Sequence, residues 1–143
     1  MLTTTRLSSL FVLDQQQALD FYVGLLGLEV RADVDLGFMR WLTVGAPGDA
    51  GREILLEVPG PPSMDPATAE QVRDLLTKGA AGGWVAFTTA DPHAVHARLA
   101  AAGADFTDDL EDRGYGVDFG VRDPFGNRLR IGSMRDSAPD WKG

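Results

Sequence analysis

The sequence predicts an α+β domain built from two copies of a βαβββ unit. The first observation is that a strand, a helix and three further strands occur twice, about 80 residues apart. The second is that each predicted helix follows an aspartate that can cap its first turn, at Asp14 and at Asp91. The third is that turns rich in Gly, Pro and Asp, such as GAPGDAG and DPFGN, separate the strands. The repeat is one of pattern and not of residue identity.

The first unit is placed at residues 5–60 and begins with the alternating strand RLSSLFVLD. The helix after Asp14 is expected to end at Gly27, because glycine favours the left-handed conformation that closes helices. Its apolar residues recur at helical spacing, and they are Ala18, Phe21, Tyr22 and Leu25. Three strands are then predicted in LEVRADV, FMRWLTVG and REILLEVPG.

The second unit is placed at residues 83–133 and begins with the strand GGWVAFTTA. Its helix starts at Asp91–Pro92, since proline suits the first helical position. The apolar positions of this helix are Val95, Leu99 and Ala102. Strands follow near ADFTDDLED, at YGVDFGVRD and at RLRIGSM.

Residues 61–82 link the two units. Asp65–Pro66 opens a helix that Gly79 is expected to close. This helix is either a connector packed on the outside or a mobile flap over a pocket. Residues 1–134 are interpreted as one domain and residues 135–143 as a C-terminal tail, in which Trp141 could dock on the body.

Charge and composition limit the partners. There are 13 Lys and Arg against 21 Asp and Glu, which gives a net charge of −8. Phosphate backbones and anionic lipids are repelled, so we expect neither nucleic acid nor a membrane as partner. No apolar run approaches the roughly 18–20 residues that a bilayer requires, and no export signal is recognised, so we expect a cytoplasmic protein. The absence of cysteine excludes disulfides and thiolate chemistry.

Three stretches resemble the vicinal oxygen chelate superfamily, which includes glyoxalase I, bleomycin-resistance proteins, extradiol dioxygenases and fosfomycin-resistance enzymes. They are DQQQALDFYVGLLGLEV, ILLE and RDPFGNRLRI. The FY-x-x-x-LGL helix exit and the DPFGN turn are the most specific, and the resemblance covers residues 5–133. It implies paired βαβββ modules that form a half-open, curved mixed sheet around a cavity, usually in a homodimer.

Metal-dependent members of this superfamily place one ligand on each of four strands. The resemblance puts these four positions at Leu7, Glu57, Trp84 and Arg130. Of these, only Glu57 can bind a divalent ion, because Leu and Trp offer no usable lone pair and Arg is permanently cationic. A catalytic metal needs about three protein ligands. We therefore expect no cofactor, and a divalent metal only with non-standard ligands.

Strand alternation predicts which side chains face the cavity, although a slip of one residue would invert any strand. The expected helix-facing residues are Leu10, Val12, Ile54, Leu56, Val85, Phe87, Leu129 and Ile131. The expected cavity-facing residues are Leu7, Ser9, Phe11, Leu55, Glu57, Trp84, Ala86, Thr88, Arg128 and Arg130. Arg40 and Tyr115 are further candidates, with Phe38 and Trp41. The resulting candidate ligand-binding set is Leu7, Ser9, Phe11, Arg40, Glu57, Trp84, Tyr115 and Arg130.

Two hypotheses concern individual positions in this set. Glu57 and Arg130 are proposed to pair, within a chain or across a dimer, where the metal would otherwise lie. The alternative is that both reach solvent at a wide cavity mouth. Trp84 either fills the space left by the metal or stacks on a ligand ring.

Other possible sites are interpreted as structural. His93 and His96 are expected to be solvent-exposed helix residues, and Asp108, Asp109, Glu111 and Asp112 to lie in a solvated turn. Gly114, Gly116 and Gly120 lack the features of a phosphate loop and are expected to relieve crowding in a curved sheet. Asp118 is a candidate cavity acid with little support.

Three functions remain open. The first is a binder of the bleomycin-resistance kind, which holds a small apolar or aromatic ligand without catalysis, in a homodimer. The second is a metal-independent or unusually ligated glyoxalase-like lyase or isomerase, with Glu57 as catalytic base and Arg130 stabilising an enolate. The third is a structural or regulatory dimer.

Overall fold

Two four-stranded mixed sheets form the chain in the computed structural model, which describes residues 1–134. The first sheet contains β1 (Leu7–Phe11), β2 (Glu29–Asp35), β3 (Arg40–Gly45) and β4 (Glu53–Glu57), in the order β1-β4-β3-β2. In this sheet β1 is parallel to β4 and the other pairs are antiparallel. The C-terminal tail at 135–143 and the suggested docking of Trp141 lie outside the described residues.

The second sheet repeats the first. Its strands are β5 (Trp84–Thr88), β6 (Asp105–Asp112), β7 (Gly116–Arg122) and β8 (Arg128–Met134), in the order β5-β8-β7-β6. The parallel pair is again the first strand with the last. Both sheets are open, and the same strand order in each confirms the predicted pair of βαβββ units.

The helices begin where the capping residues predict. Asp14 accepts a hydrogen bond of 2.8 Å from Gln17 N at the start of α1 (Gln15–Leu19), which continues as a π-helical segment over Asp20–Leu25. The linker helix α2 (Pro66–Thr77) is capped by Asp65, and α3 (Pro92–Ala101) by Asp91. Gly27 and Gly79 close the first two helices with φ of 75° and 71°. Two residues of α2, Ala69 and Leu76, are buried against the body.

One hydrophobic core lies between the helices and one face of each sheet. Residues of both units share it, and they include Val12, Tyr22, Leu42, Leu56, Leu99, Phe119, Leu129 and Ile131. Polar bonds also join the units, because Asn127 Nδ2 donates to Phe11 O at 2.7 Å and Arg98 donates to Gly24 O at 2.8 Å. The opposite faces of the two sheets are therefore left as the open faces of the molecule.

Two local expectations were wrong. The strand predicted near ADFTDDLED is present as the eight-residue β6, but its acidic residues do not form a solvated turn, and Asp108 is half-buried because it bonds to β7 and β8. His96 is half-buried and not solvent-exposed, since its ring stacks on Phe106 at 4.4 Å and meets Phe119 edge-on at 5.0 Å. His93 is exposed as expected.

Within residues 1–134, no helix has the length and apolar character needed to cross a bilayer.

Candidate ligand-binding site

The strand registers show which side chains share the open faces. In the second sheet, Leu129 and Ile131 pack into the core, so Arg128 and Arg130 lie on the open face. In the first, Leu56 is fully buried in the core while Glu57 remains half-exposed. These orientations agree with the alternation read from the sequence.

The four positions that the resemblance assigns to metal ligands do not converge within the chain, although Trp84 and Arg130 line one cleft. On the parallel strands of the first sheet, Leu7 lies beside Glu53, and Glu57 lies beside Phe11. Leu7 and Glu57 are thus four residues apart along the sheet, or about 13 Å at ~3.3 Å per residue. In the second sheet Trp84 lies beside Arg128, and Arg130 beside Ala86. The expectation that these side chains converge on one hollow is wrong for the single chain.

Glu57 lines a cleft of about 460 Å³ at one end of the first sheet, which we call the Glu57 cleft. Its walls also include Arg40 and the segment Val58–Ser63. Ser63 Oγ donates to Glu57 Oε1 at 3.1 Å, and Arg40 makes a bidentate pair with Asp33 at 2.8 Å. The guanidinium of Arg40 is therefore already occupied by a carboxylate.

Trp84 stands between two other clefts. One, the strand-edge groove, has a volume of about 480 Å³ and runs between β1 and β5, with Ser9 and Phe11 on its first wall and Trp84 on its second. The other, the Arg128 cleft, has a volume of about 430 Å³ and is lined by Trp84, Thr107, Asp108, Arg122, Arg128, Leu129 and Arg130. The side chain of Trp84 is 59% exposed, so in the single chain it does not fill a closed space.

Arg130 pairs with two aspartates and not with Glu57. Its Nε and one terminal nitrogen donate to the carboxylate of Asp118 at 2.9 and 3.0 Å, and its other terminal nitrogen donates to Asp108 at 3.0 Å. The Glu57 cleft and the Arg128 cleft share no residue. The proposed pairing of Glu57 with Arg130 within a chain is therefore wrong, because nearer carboxylates saturate the guanidinium.

Asp118 is the centre of a network of charged side chains that includes Arg130 and Asp108. The sequence indicated only a possible cavity acid at this position. The residue is only 1% exposed and also accepts hydrogen bonds from Arg113 at 2.6 Å and Tyr115 at 2.8 Å. Burial alone would raise the pKa of Asp118, but the bonds from Arg130, Tyr115 and Arg113 outweigh it and lower the pKa. Burial and the same carboxylate raise the pKa of Tyr115, and the bond to Asp118 raises that of Arg130. Tyr115 thus belongs to this network.

Two glycines make room for the network. A side chain at Gly132 would collide with the backbone of Val117 and with Asp118, and one at Gly120 would collide with Thr107 and Asp108. The expected relief of crowding at Gly120 therefore has a specific cause. The available sequence signal was an aspartate in the middle of an apolar strand, since a buried charge requires partners.

The residues at the four implied ligand positions do not fit a divalent metal. Leu7 and Trp84 supply no donor, Glu57 lies in a separate cleft, and the guanidinium of Arg130 would repel the ion. Elsewhere in residues 1–134, no cluster of three or more His, Cys, Asp or Glu side chains is arranged to hold a metal.

Known proteins share this architecture over nearly the whole chain. Uncharacterized protein YurT of Bacillus subtilis (strain 168) is 34% identical over 125 residues, which are 87% of this chain and 94% of YurT. The crystal structure of UcmS2 matches with a TM-score of 0.85 and 34% identity, covering 94% of this chain and 100% of UcmS2. TnmS3, an antibiotic binding protein from Streptomyces sp. CB03234, matches with a TM-score of 0.71 and 28% identity, covering 94% of this chain and 98% of TnmS3.

The family assignment rests on sequence as well as on fold. The profile of the Glyoxalase/Bleomycin resistance protein/Dioxygenase superfamily matches residues 4–131. The paired βαβββ sheets and the helix and turn motifs lie within that range, apart from the last three residues of β8. The chain belongs to the glyoxalase/bleomycin resistance protein/dioxygenase superfamily.

Proposed function

We propose that this protein binds a small apolar or aromatic molecule without transforming it. The observation that carries the proposal is the exposed indole of Trp84, which forms a wall of two adjoining clefts on the open side of the molecule. Large exposed aromatic side chains beside a concave surface are typical of ligand sites. A flat ligand ring could stack on this indole and remove its apolar surface from water.

The strand-edge groove offers suitable neighbours for such a ring. Phe11 supplies an apolar wall, and Ser9 supplies a hydroxyl that can fix the orientation of a polar substituent. The similarity to TnmS3, an antibiotic binding protein, supports this class of ligand. Catalysis has less support, because Glu57 and Arg130 lie in clefts without a common residue, whereas the lyase or isomerase hypothesis requires both at one substrate.

We also propose that the protein is a homodimer in which a second copy covers part of the open faces. Apolar side chains on these faces are exposed in the single chain, with Leu7 at 41% and Val34 at 47%. Burying such surface would favour association. Sedimentation equilibrium should give twice the chain mass, and a monomer at all concentrations would contradict this part of the proposal.

The test of binding is a thermal-shift and fluorescence screen of the purified protein against aromatic antibiotics. A ligand should raise Tm in a saturable way, as RT ln(1 + [L]/Kd) requires, and should quench indole emission. Trp84→Ala should abolish both responses. Leu75→Ala, a truncation of a 44% exposed residue on α2 that lines none of the three clefts, is the matched control and should leave both unchanged.

Two outcomes would contradict the proposed function. A ligand response that survives Trp84→Ala would place the site elsewhere. No response to any compound, together with a stable dimer, would favour the structural or regulatory role.

A further inference from the structure

Three side chains form a row across the second sheet at the edge of the Arg128 cleft. Arg122 on β7 lies directly opposite Arg128 on β8, and Arg128 lies beside Trp84 on β5. All three line the cleft, so they project from the same face. Two arginines and an exposed tryptophan therefore occupy neighbouring positions on three adjacent strands.

Neither arginine of this row has a partner within residues 1–134. The other arginines of that range each make a side-chain hydrogen bond or an ion pair, and they are Arg6, Arg31, Arg40, Arg52, Arg73, Arg98, Arg113 and Arg130. The chain has a net charge of −8, so carboxylates are abundant. Two unpaired arginines side by side are thus an exception in this protein.

Arg122 and Arg128 place two cations opposite each other, and the one carboxylate of the cleft, Asp108, bonds to Arg130 and Gly120 and to neither of them. Like charges directly opposite each other on neighbouring strands destabilise a sheet. The guanidinium of Arg122 lies against Gly79, whose lack of a side chain leaves the necessary space. Gly79 follows the carboxyl end of α2, where the helix dipole favours a cation but provides no hydrogen bond to this side chain.

We propose that Arg122 and Arg128 form an anion subsite, and that the ligand is a small aromatic acid whose ring stacks on Trp84 and whose carboxylate binds the two guanidinium groups. The planar guanidinium matches a carboxylate with two parallel hydrogen bonds. Arg130 cannot take this role, because Asp118 and Asp108 occupy its donors. This inference rests on the proposed function, and it names the chemical class of the ligand.

The test compares two probes of equal shape, 2-naphthoate and the neutral 2-naphthamide, by calorimetry and fluorescence titration of the intact protein. The acid should bind about tenfold more tightly, as expected for charge-assisted hydrogen bonds. Arg122→Gln and Arg128→Gln should each reduce the affinity for naphthoate to near that of the amide, and should leave amide binding unchanged. Arg52→Gln removes an equal charge at a side chain that is 69% exposed and outside the cleft, and should change neither affinity.

A second measurement needs no ligand. Because it relieves repulsion, Arg128→Gln should raise the Tm of the free protein, whereas a merely structural arginine would lower Tm when replaced. A lowered Tm would overturn the subsite.

These measurements distinguish failure of the anion subsite from failure of the proposed function. If both probes bind equally and depend on Trp84, the anion subsite is wrong and the proposed function stands. If naphthoate binding needs the two arginines but not Trp84, the stacking is wrong and the subsite stands. If neither probe binds, the anion subsite is wrong, and the screen of aromatic antibiotics decides the proposed function separately.

Discussion

Tyr22 of the first unit donates a hydrogen bond of 2.6 Å to Asp123 in the turn before β8 of the second unit. Both residues are buried, at 0% and 4% exposure. The other oxygen of Asp123 accepts from the backbone nitrogens of Phe125, Gly126 and Asn127. Burial raises the pKa of Tyr22 well above its usual value, and the neighbouring carboxylate adds to this. One aspartate thus both shapes the DPFGN turn and ties the two units together.

Tyr22→Phe should destabilise the protein by about 1.5–3 kcal/mol, because the lost bond has a charged acceptor and is buried. Urea unfolding at neutral pH measures this. Tyr115→Phe is the matched control, since its hydroxyl also donates to an aspartate, Asp118, but is only half-buried, and Asp118 keeps two arginine donors. Tyr115→Phe should lower the free energy of unfolding by less than Tyr22→Phe does. Equal decreases in the two variants would contradict the role given to the bond between Tyr22 and Asp123.

Asp118→Asn should destabilise the protein by about 2–4 kcal/mol, because Arg113 and Arg130 lose the carboxylate between them. Chemical denaturation followed by circular dichroism measures the change. Asp33→Asn, which removes one carboxylate from an exposed pair with Arg40, should cost much less. If the two substitutions lower the free energy of unfolding equally, the buried network around Asp118 contributes no more to stability than the exposed ion pair of Asp33.

The same network predicts the acid dependence of stability. The folded-state pKa of Asp118 lies below its ordinary value of 3.8, so its stabilisation is complete above that pH and is lost as the pH falls through the folded pKa. The difference in unfolding free energy between wild type and Asp118→Asn should be constant from about pH 5 to 8 and should shrink below about pH 4. If the difference in unfolding free energy between wild type and Asp118→Asn increases below about pH 4, the predicted lowering of the pKa of Asp118 is contradicted.

Gly132→Ala should destabilise the protein by about 1–3 kcal/mol, because the new methyl group would press on the backbone of β7 beside Asp118. Thermal unfolding provides the measurement. Gly48→Ala, in a turn where an added methyl group contacts nothing within 4 Å, is the control and should be close to neutral. A harmless Gly132→Ala would show that the sheet can widen at this point.

A double-mutant cycle tests the separation of Glu57 from Arg130. The coupling between Glu57→Gln and Arg130→Gln should lie within about 0.5 kcal/mol of zero, as for distant and independent sites. The coupling between Asp118→Asn and Arg130→Gln should be clearly larger, since these side chains share two hydrogen bonds. A strong coupling with Glu57 would indicate that a second copy brings the two side chains together.

Local chemistry was sufficient for the elements of this fold. The caps at Asp14, Asp65 and Asp91 depend only on a side chain and the backbone three residues later, so they could be read from the sequence. Strand alternation likewise separated Leu129 from Arg130, because successive side chains must point to opposite faces.

The partners of the charged residues depended on distant parts of the chain. No local pattern sets the register of β4 against β1. That Glu57 lies beside Phe11 and not beside Leu7 is therefore known only from the folded sheet. The choice of Asp118 by Arg130 was decided in the same way, since pairing β7 with β8 brings these residues together and leaves Arg122 facing Arg128. The sequence determined the helices and strands and the face to which each side chain points. The tertiary structure decided which charged side chains form ion pairs, because pairing depends on distances that only strand register fixes.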